Sequence, residues 1–352
     1  MFAQYYTPQA KLHIKDLDLF LLKGWFRSGQ SINSATILNF KSKLYSPVRV
    51  RLPLKDYKFK KRLKKLWNKN SSFKTICRPL ILDEGKEELY KYFENKYKNE
   101  VPPTLRQYLL DNNDDSIFNT YEISIYNSDN ELIAASFYDI GEKCIASILA
   151  NYHPHYEKNS LGIYTMLAEI QFGIDNGFEF YFPGYVTPGY SKFDYKLRIG
   201  NLEYYEPLKD TWQPYEEMKE EELPANIIES KLIEISKLLQ EAAIEHQLYF
   251  YPFINKGFKI QNKEVVELDS PLFIHLPTET NNLALIYQYE TGSFEVSRYI
   301  GFEFSPLDYP IYYSHQDYPT FSNTLLKTNV VVKSKNATIV TKKIKTMNEV
   351  IV

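Results

Sequence analysis

Residues 160–198 read SLGIYTMLAEIQFGIDNGFEFYFPGYVTPGYSKFDYKLR, from Ser160 to Arg198, and this stretch decides the fold. Ser160 is a residue type favoured at a helix N-cap, and Leu161, Tyr164, Leu167, Ala168, Ile170, Phe172 and Ile174 follow at helical spacing until Gly177 ends the run. The spacing predicts a mostly buried helix. Phe178 to Phe182 then reads as a short aromatic strand covered on both faces, since only Glu179 brings charge into it. Pro183-Gly184 and Pro188-Gly189 break the chain before a run that carries Tyr185, Tyr190, Lys192, Asp194, Tyr195, Lys196 and Arg198. A buried helix and strand that deliver two Pro-Gly turns loaded with Tyr and Lys form a scaffold presenting a site.

Upstream, Thr120 to Tyr126, Leu132 to Tyr138 and Cys144 to Tyr152 read as three antiparallel strands, with a turn at Asn127 to Asn130. Val48 to Leu54 alternates apolar residues with Arg49 and Arg51, which predicts a half-buried strand with a basic outer face. Phe59 to Asn70 reads as an exposed cationic helix, and Leu89 to Tyr97 and Thr104 to Leu110 as two further helices. Gly24-Trp25-Phe26-Arg27-Ser28-Gly29 suits either a loop that closes over a ligand or a tight turn anchored by its Trp. Downstream, Glu216 to Glu222 is an acidic linker. Pro224 starts an amphipathic helix, and residues 250–352 hold short apolar-aromatic runs typical of strands. Three segments result: 1–110, 111–220 and 221–352.

A chain of 352 residues can bury a real core. Its formal net charge of -2 hides a local imbalance: fourteen Lys and Arg residues lie between Lys41 and Arg78 against the single acid Asp56. Such a block, with Tyr45, Tyr57, Phe59, Trp67 and Phe73 interleaved, fits a polyanion partner, and by itself it also fits a solvated lysine-rich helix. Two cysteines give no disulfide framework, and residues 1–30 lack a signal-type apolar core, so a cytoplasmic protein is expected. No stretch nears the roughly eighteen apolar residues of a membrane span.

The pattern Ser160-Leu161-Gly162 with Tyr164, then Tyr181, Gly184, Tyr185, Lys192, Tyr195 and Lys196, is similar to the core of the arginyl-tRNA-protein transferases and their bacterial leucyl-transferring relatives. Gly24-Trp25-Phe26-Arg27-Ser28-Gly29, Ser46-Pro47-Val48-Arg49-Val50 and the run Lys60 to Asn70 resemble further elements of that family, in matching order from about residue 17 to 215. The resemblance implies an α+β GNAT-like core, a mixed and mostly antiparallel sheet flanked by helices, with a β-rich C-terminal appendage outside it. It also implies transfer of Arg or Leu from aminoacyl-tRNA to the N-terminal α-amine of a protein or peptide with an acidic N-terminus, marking it for degradation. Two departures stand out. The family's cysteines before Pro-Leu-Arg-Val are absent from Phe40 to Ser46, so no metal or cluster is expected, Cys77 and Cys144 being too few as soft ligands. Leu149 and His153 stand where the family tends to carry Tyr and Asp.

An aminoacyl-tRNA is already an activated ester, so the reaction requires positioning, an oxyanion contact and a modest base, with no cofactor. Asp139, Asp194 and His153 are the base candidates by residue type, although residues like the first two serve more often as caps or ion-pair partners. Tyr185 offers a phenol to the carbonyl, and Tyr190 and Tyr195 offer faces for the terminal adenine or pack in the core. Lys192, Lys196 and Arg198 suit a phosphate or an acidic side chain. Ser160, Gly162, Tyr164, Gly184, Trp25 and Arg27 complete the expected substrate-binding set. Lys60, Lys61, Arg62, Lys64, Lys65, Trp67 and Lys69 form the expected tRNA-binding set. Two other readings remain open: a GNAT-type acyl-CoA N-acyltransferase, although the Q/R-x-x-G-x-G/A fingerprint is missing before Ser160, and a non-catalytic tRNA-binding adaptor.

Overall fold

The computed structural model describes residues 3–98, 100–252, 259–260, 263–264, 268–277, 282–302 and 314–351. Two compact units emerge: residues 4–34 with 47–218, and residues 1–3, 35–46 and 219–352. The expected segments 1–110 and 111–220 thus share one unit, apart from residues 1–3, 35–46 and 219–220.

The first unit is built on an eight-stranded sheet. In chain order its elements are α1 (Ile14–Leu22), β1 (Val48–Pro53), α2 (Lys61–Asn70), β2 (Lys74–Pro79), α3 (Glu84–Lys96), α4 (Leu105–Leu110), β3 (Thr120–Tyr126), β4 (Leu132–Ile140), β5 (Cys144–Tyr152), α5 (Leu161–Asp175), β6 (Phe180–Val186), β7 (Glu203–Glu206) and β8 (Thr211–Pro214). The spatial order is β8-β7-β1-β6-β5-β4-β3-β2. β5 and β6 run parallel because α5 carries the chain from one to the other, and the other neighbours pair antiparallel. Phe172 of α5 packs on Tyr121 and Tyr138, and Gly173 admits Leu54 and Ile145 to the helix backbone. On the opposite face, α1 packs Leu17 and Leu21 with Cys144, Ala146 and Phe182. Beside it α3 and α4 pack Leu89, Leu105 and Leu109 with Ala135, Phe137 and Leu149. Leu149 is therefore a core residue, while His153 precedes the turn at Pro154 and sets its ring against Tyr92 at 4.7 Å.

Three local expectations change. Ser160 does not cap α5 with its side chain. It lies in the left-handed region (φ 51°), its amide donating to Glu157 O and its carbonyl accepting from Ile163 and Tyr164. Pro183-Gly184 does not end β6, because the register shifts between Tyr181 and Gly184; the missing N–H of Pro183 falls at that irregularity and the strand continues to Val186. The basic outer face of β1 is covered. Arg49 is buried, and Arg51 lies 4.0 Å from the Phe180 ring centre and 4.4 Å from that of Trp212, with Glu203 accepting its Nε–H at 2.7 Å. The side chains that cover β1 come from distant parts of the chain, which alternation in a single strand does not reveal.

In the second unit, α6 (Pro224–Glu241) is followed by an antiparallel sheet of β9 (Gln247–Phe250), β10 (Leu272–Leu276), β11 (Asn282–Gln288), β12 (Ser293–Phe302) and β13 (Thr324–Ser334), and then by α7 (Ala337–Ile351). Ile228, Leu232, Ile235 and Leu239 of α6 join Leu285, Val296, Val332, Val340 and Ile344 in one core. Parts of the expected β-rich 250–352 segment lie outside the described residues, and α7 is an addition to it. Among the described residues no helix is long and apolar enough to cross a membrane.

Candidate active site

The central strands part company. β5 and β6 are paired only through Cys144 with Phe180, Ile145 with Tyr181 and Ala146 with Phe182. Beyond that point β5 stays with β4 out to Tyr152, after a bulge between Ser147 and Leu149, while β6 stays with β1 out to Val186. The open wedge is where the turn Ser191–Ile199 folds back.

Lys196 sits at this wedge. Its ammonium donates to Tyr185 O at 3.0 Å and lies 5.3 Å from the ring centre of Tyr185 and 5.2 Å from that of Phe193. Gly184 makes room for it: a Cβ there would stand 3.1 Å from Lys196 Nζ, and φ is +96°. Among the described residues no carboxylate pairs with Lys196, and the Lys196 ammonium is pulled down to about 7 by burial and then by the Arg49 guanidinium. Arg49 donates from Nε to Gly24 O at 3.0 Å, its guanidinium 3.9 Å from the Phe26 ring centre and 5.0 Å from that of Tyr185. Burial lowers it to about 9, with Tyr185 acting in the opposite direction.

Phenols line the same wedge. Burial raises the Tyr185 hydroxyl, Arg49 opposing it, and burial with the neighbouring Tyr185 raises Tyr108 to about 12. Tyr195 is 39% exposed as a residue, yet burial raises its hydroxyl, with Tyr97, Tyr108, Glu169 and Tyr185 adding to the effect. Tyr190 packs on Phe193 at 6.1 Å. Lys192 lies 4.1 Å over the Tyr97 ring and donates to Glu100 at 2.8 Å. Asp194 and Arg198 are exposed on the turn.

The remaining expected residues divide. Arg27 and Asp139 form a buried ion pair at 2.7 Å; Arg27 also donates to Thr120, Gly29 O and Leu109 O and covers Phe118 at 4.3 Å. This pair ties the hairpin Phe26–Ser28/Ser31–Ala35 to β3 and β4, and burial raises the Asp139 carboxyl against the pull of Arg27. Trp25 packs on Phe20 at 5.5 Å. Tyr164 is buried beneath Trp67 at 5.4 Å, and Gly162 faces the Tyr152 ring.

The cationic helix adjoins the site loop. Lys61, Arg62, Lys64, Lys65 and Lys69 point to solvent while Leu63 is buried. Lys60 donates to Asn201 at 2.8 Å, and the Tyr57 hydroxyl donates to Ile199 O at the end of the turn. At the other end, Asn70 Nδ2 donates to the main-chain carbonyl of Asn159 at 3.0 Å, Asn159 Nδ2 donates to Asn70 Oδ1 at 2.9 Å, and Lys69 donates to Lys158 O.

Sequence reasoning left out Phe26, Tyr108 and Glu169 and placed Arg49 on an outer face. Glu169 accepts from the Tyr181 hydroxyl at 2.7 Å beneath α5 and is raised to about 7, chiefly by burial. A charged residue in the apolar run of α5 was the one available signal.

A divided sheet with a basic, phenol-lined wedge is a frame for group transfer, and comparison with known proteins places it among the aminoacyltransferases. Residues 85–206, which carry most of the wedge, match the family described as "Arginine-tRNA-protein transferase, C terminus". It is similar to an aspartate/glutamate leucyltransferase of Leptospira interrogans, 26% identical over 197 residues that span 55% of this chain and 75% of the relative. An arginyl-tRNA-protein transferase 1 of Arabidopsis thaliana is 28% identical over 183 residues, 46% of this chain and 27% of the relative. The solved structure of L-PGS from Bacillus licheniformis covers 40% of this chain and 46% of its own, with 12% identity and a TM-score of 0.29.

Proposed function

We propose that this protein transfers an amino acid, Leu or Arg, from aminoacyl-tRNA to the N-terminal α-amine of a protein, on a GNAT-like core. The observation that carries the reading is the wedge itself, where the buried Arg49, the half-buried Lys196 and several phenols meet beside a helix of solvent-facing Lys and Arg. The exposed cations of α2 suit the phosphates of the RNA, which are best met by charges that shed counterions. The wedge suits the aminoacylated end, where Tyr195 and Tyr190 provide faces for the terminal base and the Tyr185 hydroxyl faces the ester. An acceptor beginning with Asp or Glu suits the positive wedge. Because the ester is activated, holding the two substrates in register supplies most of the acceleration.

The test is transfer of labelled Leu and Arg from their charged tRNAs to peptides that begin with Asp, Glu, Ala or Lys. The expected result is incorporation into the acidic peptides with one of the two amino acids. Incorporation from acyl-CoA instead would assign the wedge to the acyl-CoA enzymes, and tRNA binding without any transfer would leave an adaptor.

A further inference from the structure

Lys196 occupies an unusual position for a lysine. Its stem comes from the turn Ser191–Ile199, and its amine reaches the place where β5 and β6 separate. It meets the Tyr185 carbonyl there instead of a carboxylate. The groups that face it are Arg49 from β1, the Tyr185 carbonyl and ring from β6, and Phe193 from its own turn, and Arg49 is the charge that acts on it. A desolvated lysine held beside a second cation loses its proton readily, and a neutral amine has a lone pair to offer. One N–H of Lys196 is committed to Tyr185 O, which orients the amine at the open end of the wedge. Gly184 leaves the approach free of a side chain.

We propose that Lys196 is the general base of the transfer step. This rests on the transferase reading above. The acceptor's α-amine attacks the ester carbonyl carbon, the new C–N bond forms, and Lys196 takes a proton from that nitrogen. The C–O bond to the ribose then breaks, and Lys196 returns the proton to the ribose oxygen. An amide and a free tRNA hydroxyl leave, and Lys196 ends as it began, so atoms and charge balance without a further reactant. Asp139, held in its ion pair with Arg27, and Asp194, exposed on the turn, take no part in this step.

The experiment compares wild type with Lys196→Arg and Lys196→Ala in the labelled transfer assay, from pH 5.5 to 9, with tRNA binding followed in parallel. A general base contributes about 100- to 10,000-fold. Both variants should lose at least about 100-fold in kcat while binding tRNA within a few fold of wild type, since arginine keeps the charge but has no lone pair to give. Methylamine should restore transfer to Lys196→Ala and not to Lys196→Arg. The rise in rate centred near pH 7 should vanish in both, leaving the rise that belongs to the acceptor amine at about 8. Activity of Lys196→Arg within tenfold of wild type would show an anchoring cation and overturn the proposal, as would a pH profile unchanged by substitution. Titration of the Lys196 amine by pH-dependent acylation of the intact chain separates this idea from the transferase reading. An ordinary lysine value sinks the base whatever the transfer assay gives, whereas failure of wild type to transfer sinks the transferase reading.

Discussion

Replacing Lys64 and Lys65 with Gln tests whether α2 is an RNA surface. Both side chains are exposed, neither has an ion-pair partner among the described residues, and the buried Leu63 and the packed Trp67 are left in place. Each lost phosphate contact removes the release of about 0.9 of a counterion. At about 0.15 M salt that is 0.9RT ln(1/0.15), about 1 kcal/mol or fivefold in affinity, so the pair costs about 30-fold. At about 0.5 M salt the same expression leaves about threefold, and the slope of log affinity against log salt falls by about 1.8. The fold itself should not suffer. Lys60 and Lys64, and Lys61 and Lys65, stand four apart on or beside one helix, and removing like-charge repulsion at that spacing stabilises by a few tenths of a kcal/mol, about 0.2–0.5 per pair. Filter binding of a full-length tRNA across a salt series, with urea unfolding alongside, reads both quantities. Unchanged affinity and slope would refute the placement of RNA on α2, and a loss of affinity without a change of slope would point to altered shape.

Three other outcomes follow from the same geometry. Asp139→Ala strands Arg27 without its carboxylate and should cost about 3–5 kcal/mol in denaturant unfolding, and adding Arg27→Met should recover part of that loss. A double variant as unstable as the sum of the two singles would deny the pairing. Glu169 is raised from the ordinary carboxyl value of 4.5 to about 7 in the folded chain, so the folded state holds more protons than the unfolded one between those values and stability falls as pH rises through that window. Glu169→Gln should flatten that part of the pH-stability curve while keeping an acceptor for Tyr181; a curve of unchanged slope would locate the titration elsewhere. Gly184→Ala places a methyl 3.1 Å from Lys196 Nζ at φ +96°, and strain of this kind costs about 1–3 kcal/mol. Transfer should fall more than stability does, and full activity would show that the amine does not need its present seat.

The sequence alone determined the elements whose causes are local. The apolar spacing from Leu161 to Ile174 gives α5, which runs to Asp175, and Gly177 takes the positive φ of 74° that suits a helix end. The same holds for β3, β4 and β5, whose runs of β-forming residues and the Asn127–Asn130 turn lie within the strands themselves, and for α2, where buried Leu63 is surrounded by Lys and Arg. Residue order along the chain also carried the family likeness. Only the tertiary structure decided that β5 and β6 separate after three pairs, that Arg49 faces inward, and that Arg27 and Asp139 serve each other. It also brought the Lys196 amine beside a guanidinium from β1. The physical reason is range: helix and strand propensity act over a few residues, whereas desolvation and Coulomb interaction depend on which distant segments are packed into the same small volume.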